Sequence, residues 1–269
     1  MKKRSVSQST ACLVGILFLL PACTKFQDHL PPGTPPCKIS RIIFFPQYFS
    51  NLDSFTITYN ANGDPDLAIR ALVDDGSPSL QFMYDSQHRL TGVNYFLQVD
   101  ATENWVKYHY TSPLSQNPYI DSNFYFPNNI DTDPPSFYYI LTSTGFQYDH
   151  QNRIAQTTVL DISVIQHGGN VDGSPDTIIT NYNYAPNGNL IGSTYDNKVN
   201  FLRTSKVFQF LQADYSLNNN TTLFSNFQYN EFGLPTQFDA GDLYFLGANM
   251  AGTIRIKYEC ACGTNQKAP

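Results

Sequence analysis

The stretch Leu80-Gln81-Phe82-Met83-Tyr84-Asp85-Ser86-Gln87-His88-Arg89-Leu90 decides the fold. It begins as an alternating strand, which places every second side chain on one face of a sheet. Asp85 can cap a turn through its side chain. His88, four residues after Tyr84, stands where a left-handed residue closes a type I turn with a bulge. Leu90 then starts the next strand, so the stretch predicts a β-hairpin.

The same pattern recurs at four further places in the chain. An alternating strand ends in Tyr, an Asx residue usually follows, and Gly, Asn or His stands four positions after the Tyr. These units contain Tyr59 and Gly63, Tyr148 and Asp149, Tyr184 and Gly188, and Tyr229 and Gly233. Residues 254–258 form a similar strand without the full turn. We therefore predict an all-β, mostly antiparallel meander of hairpins that forms a curved sheet, a sandwich or a half-barrel.

These units resemble the YD repeats of RHS-type proteins, and more closely the hairpin repeats of uncharacterised Gram-negative lipoproteins. Residues 195–200, 216–220 and 229–236 resemble that lipoprotein group in further detail. The resemblance covers most of the chain from Ser54 onward. Its irregular intervals depart from true RHS arrays, so the large cocoon of those toxins is not implied. The resemblance implies a fold and no activity, because the lipoprotein group has none to carry over.

The N-terminus has the pattern of an export signal. Basic residues at positions 2–4 precede an uncharged, mostly apolar run at 11–20, which is shorter than the roughly 20 apolar residues that cross a bilayer. Residues 19–23, Leu-Leu-Pro-Ala-Cys, resemble a lipobox, although Pro21 departs from the commonest residue there. We predict cleavage before Cys23 and attachment of membrane-anchoring acyl chains to that cysteine. An ordinary cleaved signal is the alternative.

The sequence divides into four parts on this reading. Residues 1–22 are the predicted signal peptide, and 23–37 hold the lipidated cysteine and a Pro-rich tether. Proline excludes that tether from helices and central strands. Residues 38–263 form the all-β hairpin domain, and 264–269 are a C-terminal tail. The predicted location is the cell envelope, lipid-anchored at the outer membrane, on its periplasmic or surface face.

Composition limits the partners. Aromatic residues make up 14% and charged residues 14% of the 269 residues, which suits strands. Removing residues 1–22 takes away three basic and no acidic residues, so the formal net charge of −6 becomes −9. An acidic body without a basic cluster indicates that nucleic acid is not a partner. The expected partners are the membrane, through the lipid anchor, and a glycan or protein ligand. The oligomeric state stays open.

Three cysteines besides Cys23 remain after cleavage. Export leads to an oxidising compartment, so we expect a disulfide from Cys37 to either Cys260 or Cys262. Such a bond would tie the start of the domain to its end. A zinc site built from these three residues is the alternative. It lacks a fourth ligand and the usual spacing of two to four residues, so we predict no metal.

No catalytic residue or cofactor is predicted. The five histidines are scattered, and the sequence has no nucleophile elbow and no Gly-rich phosphate loop. A glycan hydrolase, which needs two facing carboxylates, is one alternative function, and a carrier of apolar cargo is another. The hydrolase, or a weaker Ca²⁺ site, would use aspartates that lie in loops. The Pro and Gly residues beside these aspartates favour a turn-capping role instead. The aspartates are Asp131, Asp133, Asp172 and Asp176.

Aromatic side chains are the remaining candidates for binding. Trp105, Tyr108 and Tyr110 recur along one predicted strand, and Phe124 lies on the next. If they are exposed, they could stack on sugar rings or line a protein interface. The alternative is that they pack in the core of the sheet. We expect a non-enzymatic envelope protein that binds a glycan or a protein partner.

Overall fold

The computed structural model describes residues 36–46, 51–72, 78–98, 101–125, 139–161 and 176–260. The predicted signal peptide, Cys23, most of the tether, Cys262 and the tail lie outside these ranges. Within them, no helix is long and apolar enough to cross a membrane.

The described chain is almost entirely β, which confirms the predicted fold class. The strands are β1 Cys37–Pro46, β2 Asp53–Tyr59, β3 Pro65–Arg70, β4 Ser79–Tyr84, β5 Leu90–Gln98, β6 Ala101–His109, β7 Ile120–Tyr125, β8 Tyr139–Tyr148, β9 Ile154–Asp161, β10 Thr177–Asn181, β11 Tyr195–Val199, β12 Asn218–Asn220, β13 Phe224–Tyr229, β14 Pro235–Phe245 and β15 Ala248–Cys260. A 3-10 helix, Phe201–Thr204, and helix α1, Lys206–Leu211, lie between β11 and β12.

Thirteen strands form one antiparallel sheet in the order β10-β9-β8-β7-β6-β5-β4-β3-β2-β1-β15-β14-β13. Strands β1 to β10 follow one another in space as in sequence, as a meander of hairpins requires. Strand β15 returns to pair with β1, and a disulfide joins Cys37 to Cys260, which face each other in that ladder. The oxidised pair leaves neither thiol free for the alternative zinc site. The sheet is open, with β10 and β13 as its edges.

The sheet curls around the helical insert. Phe210 of α1 lies 5.2 Å from the ring of Tyr108 on β6 and 5.2 Å from that of Phe146 on β8. Phe208, also in α1, lies 5.5 Å from Phe245 on β14. Strands β8 and β14 are nine places apart in the sheet, about 40 Å if it were flat. Because a helix of six residues spans about 9 Å, only a strongly curved sheet allows these contacts.

The five predicted hairpin turns share one geometry. Asp85 shows it: its Oδ1 accepts hydrogen bonds from the backbone N–H groups of Gln87 and Arg89. Asn60, Asp149 and Asn230 make the equivalent pair of bonds. The residue four positions after each tyrosine has a positive φ: Gly63 89°, His88 62°, Asn152 60°, Gly188 84° and Gly233 74°. The left-handed turn expected from the sequence is therefore present in each unit.

The turn tyrosines connect neighbouring hairpins. The hydroxyl of Tyr84 donates to the carbonyl of Pro65, the residue that follows the preceding turn, at 2.8 Å. The same bond runs from Tyr59 to Ile39, Tyr110 to Leu90, Tyr148 to Pro118 and Tyr258 to Pro235. Each of these bonds occupies a backbone carbonyl and joins the end of one strand to its neighbour in the sheet. Tyr184 and Tyr229 differ, since their hydroxyls donate to the carbonyl of Ala213 and to the carboxylate of Asp196.

Candidate functional site

The pleat of β6 divides the predicted aromatic strip between two faces. Trp105 lies opposite Phe124 in the β6–β7 ladder, whereas Tyr108 lies opposite Asp121. Side chains alternate along a strand, so residues three apart point to opposite sides. We call the side of Tyr108, which faces the helical insert, the inner face, and the side of Trp105 the outer face.

The two tyrosines of the strip have structural contacts. Tyr108 is only 7% exposed and meets Phe210 edge-on, and burial raises its pKa well above the usual value. Tyr110 donates its hydroxyl hydrogen to the carbonyl of Leu90, and its ring lies 4.2 Å from the guanidinium of Arg89. Tyr110 thus acts as a turn tyrosine, a role that the sequence pattern alone does not reveal because no matching turn follows it.

Trp105 and Phe124 form a stacked pair on the outer face. Their ring centroids are 4.8 Å apart, the planes differ by 16°, and both side chains are partly exposed. Asn94 on β5 lies opposite Trp105, and Gln81 on β4 lies opposite Asn94. We call these four residues, Gln81, Asn94, Trp105 and Phe124, the outer row. Across four adjacent strands it spans about 14 Å, the length of a short oligosaccharide.

The outer row combines a flat apolar surface with polar groups. Trp105 stacks on Phe124 and lies beside Asn94 in the row. The Asn94 Oδ1 atom is shielded from solvent and accepts no hydrogen bond from any residue that the structure describes. Gln81 is exposed at the end of the row, so its side-chain amide is open to a ligand. A partly exposed aromatic pair in line with an exposed amide suits a ligand that has both a C–H face and hydroxyl groups.

The inner face of the same strands also carries polar groups. Asp121 on β7 is largely buried and accepts a hydrogen bond from the backbone N–H of Thr144 at 2.8 Å. Burial raises the pKa of its carboxyl group to about 6, although the bond to Thr144 opposes the shift. Asn104 and Asn123 lie on this face too, and their Oδ1 atoms are shielded without a hydrogen-bond partner in the described ranges.

The residues of the alternative functions are placed differently. Asp131, Asp133 and Asp172 lie outside the described residues, and Asp176 is exposed just before β10. Among the residues that the structure describes, no three His, Cys, Asp or Glu side chains are grouped to hold a metal ion. Inside the curve, where a carrier would hold its cargo, the buried rings of Phe201 and Phe208 pack against the sheet.

Comparison with known proteins identifies no family for this chain and gives only distant structural matches. No family model and no curated protein matches the chain. A porin-like protein from Bacteroides vulgatus is 11% identical with a TM-score of 0.40, covering 82% of this chain and 98% of its own. One from Bacteroides uniformis is 11% identical with a TM-score of 0.32, covering 84% and 98%. The TcdB2-TccC3-Cdc42 complex is 12% identical with a TM-score of 0.21, covering 71% and 12%. These values establish no shared function.

Two features of the site were missed by reasoning from the sequence. Trp105 and Tyr108 are an odd number of residues apart, so strand alternation alone could have assigned them to opposite faces. The partnership of Asn94 and Gln81 with Trp105 depends on the register between strands, which a single sequence specifies only weakly.

Proposed function

We propose that this chain is a lipid-anchored, non-enzymatic protein of the cell envelope, at the outer membrane, and that it binds a neutral glycan on its outer row. The observation that carries the binding proposal is the partly exposed, stacked Trp105–Phe124 pair in one row with the exposed Gln81 amide. The anchoring proposal is carried by the apolar run at 11–20 and the lipobox-like stretch ending in Cys23.

The chemistry of the outer row favours a sugar over other ligands. A pyranose ring presents an apolar C–H face that packs on an aromatic ring, and its hydroxyl groups can bond the exposed side-chain amide of Gln81. The net charge after cleavage at Cys23 is −9, so long-range repulsion disfavours an anionic polymer. The Pro-rich tether predicted from the sequence would hold the domain away from the membrane surface, where a glycan can reach the sheet.

The anchor is tested by metabolic labelling with a fatty acid in a Gram-negative host. We expect the wild-type chain to carry the label and to run at the size of the cleaved form. Cys23→Ser should remain as an unlabelled, uncleaved precursor, because the acylated residue is missing. Cys262→Ser is the matched control and should keep its label. Label on the Cys23→Ser chain would overturn the anchoring proposal.

Glycan binding is tested on an array of neutral pyranose oligosaccharides with the full chain in detergent. We expect at least one oligosaccharide to bind, and Trp105→Ala to weaken that binding at least tenfold, because it removes the stacking surface. Phe45→Ala, an aromatic residue 44% exposed on distant β1, should bind like the wild type. Absence of any bound glycan, or equal binding by Trp105→Ala, would overturn the glycan assignment in favour of a protein ligand.

A further inference from the structure

The two edges of the large sheet differ in how they are protected. Along β13, the register with β14 shifts between Ser225 and Gln228, and Asn226 has a φ of 54°. Such a bulge interrupts the row of backbone groups that another strand would need. Along β10, Thr177–Asn181 pairs with β9 in an unbroken register. The edge at β10 is therefore regular, whereas the edge at β13 is not.

Strand β10 also lacks the side chains that usually guard an edge. Its sequence, Thr-Ile-Ile-Thr-Asn, contains no charge and no proline, the two commonest protections. Ile178 is 61% and Ile179 58% exposed, one on each face of the sheet. Within the described ranges no strand pairs with the free side of β10; the chain returns along that side only beyond its end, where the N–H of Ile191 donates to the carbonyl of Asn183. The strand thus offers unpaired backbone N–H and C=O groups flanked by apolar side chains.

We propose that β10 pairs antiparallel with β10 of a second copy of this chain, which joins the two sheets. A two-fold axis perpendicular to the sheets keeps the inner faces of both copies on the same side. Facing residues then share a face, and the register that pairs all five residues of β10 places Ile179 opposite Ile179 of the other copy and Ile178 opposite Thr180. Asp176 comes to lie opposite Tyr182, so this register brings no like charges together.

The difference between the edges also predicts that assembly stops at two copies. Pairing of β10 with β13 of another copy would be head-to-tail, and such contacts can continue into filaments. The bulge at Asn226 opposes that pairing, whereas β10 can pair with itself. A pair of copies joined through β10 leaves only the two bulged β13 edges free. The expected assembly is a closed dimer.

Cysteine cross-linking tests both the partner and the register. Ile179→Cys in the full chain with Cys262→Ser, held in membranes, should give a dimer under mild oxidation, because directly opposed Cβ atoms are about 5 Å apart. Ile178→Cys should not, because it lies opposite Thr180. Leu52→Cys, at an exposed residue just before β2 and so distant from β10 in the sheet, measures random collision. The proposal is overturned if Ile179→Cys forms no more dimer than Leu52→Cys, or if it cross-links to a different protein.

The oligomeric state of the purified full chain in detergent gives a second test that needs no cysteine. We expect the wild type to sediment as a dimer at high concentration, and Ile179→Lys to weaken self-association at least tenfold by placing charges opposite each other. Leu52→Lys, distant from β10 in the sheet, should behave like the wild type. A wild-type chain that stays monomeric at every concentration would overturn the proposal. Neither test depends on glycan binding, so the proposed function can fail without it.

Discussion

Two regions of the sheet, the covered region and the wing, are built from the same kind of hairpin, yet they differ in what lies inside the curve. In the covered region, β14, β15 and β1–β5, the inner face is mostly apolar and packs on the insert, as at Phe238. In the wing, β6–β10, Phe210 of the insert still contacts Tyr108 and Phe146, but the inner face also carries polar side chains such as Asp121. The repeat therefore determines strand order, and the insert determines where the core forms.

The largest effect should come from removing a contact between the insert and the covered region. Phe208→Ala deletes a fully buried ring packed on Phe245 and should lower the free energy of unfolding by about 3–5 kcal/mol. Phe45→Ala, on the outer face, should cost less than about 1 kcal/mol because its ring is already partly in water. Urea denaturation of both variants checks the difference.

Hydrogen exchange then shows which strands lose stability in the Phe208→Ala variant. We expect amide protection to fall most in β14 and β15, which pack on the insert, and least in β9 and β10. Equal loss throughout the sheet would contradict the division into two regions, because it would mean that the sheet unfolds as one unit.

A medium effect on stability should come from changing Asp121, which lies on the inner face of the wing. Burial raises the Asp121 pKa to about 6, above the unfolded value of about 3.9. The folded state therefore holds the proton more tightly, and stability is lost as the pH rises from about 4 to about 6. Asp121→Asn removes this titration and should be more stable than the wild type at pH 7 by about 2 kcal/mol, with a smaller gain at pH 4.

The comparison between variants isolates Asp121 from other carboxylates, since those titrate alike in both chains. Thermal unfolding of the wild type and Asp121→Asn at pH 4, 5, 6 and 7 measures the difference. Asp242→Asn, an exposed aspartate on β14, should show no comparable trend. A wild-type chain that loses nothing relative to Asp121→Asn over this range would mean that the carboxyl group is solvated.

The sequence predicts local geometry better than it predicts which surface is buried. The turn at Tyr84–Leu90 follows from residues adjacent in the chain, so Asp85 and His88 were placed correctly. The faces of Trp105 and Tyr108 depend on pleat and register, and the burial of Tyr108 depends on Phe210, which is distant in sequence. The sequence of residues 200–211 permits either a helix or a strand, because tertiary packing rather than the local sequence decides between them.

The smallest effect should come from the turns themselves. Asp85→Ala removes the oxygen that accepts from Gln87 and Arg89 and should cost about 1 kcal/mol. The turn after Tyr184, beyond the wing, has Ala185 at this position, although its backbone bonds, from Ala185 N–H to Asn189 and from Gly188 N–H to Ala185, match those around Asp85.

Ala185→Asp should therefore raise the free energy of unfolding by about 0.5 kcal/mol, because it supplies a side-chain acceptor for the N–H of Asn187, whereas the N–H of Asn189 already donates to Asn187 Oδ1. Ala185→Glu is the matched control, since it adds the same charge on a longer side chain that does not fit this cap. Urea denaturation compares them. If Ala185→Asp raises the free energy of unfolding by as much as Phe208→Ala lowers it, weak turns limit the stability of the wing more than the lack of packing on its inner face does. If Ala185→Asp gains about 0.5 kcal/mol and Ala185→Glu gains nothing, packing explains the difference between the two regions.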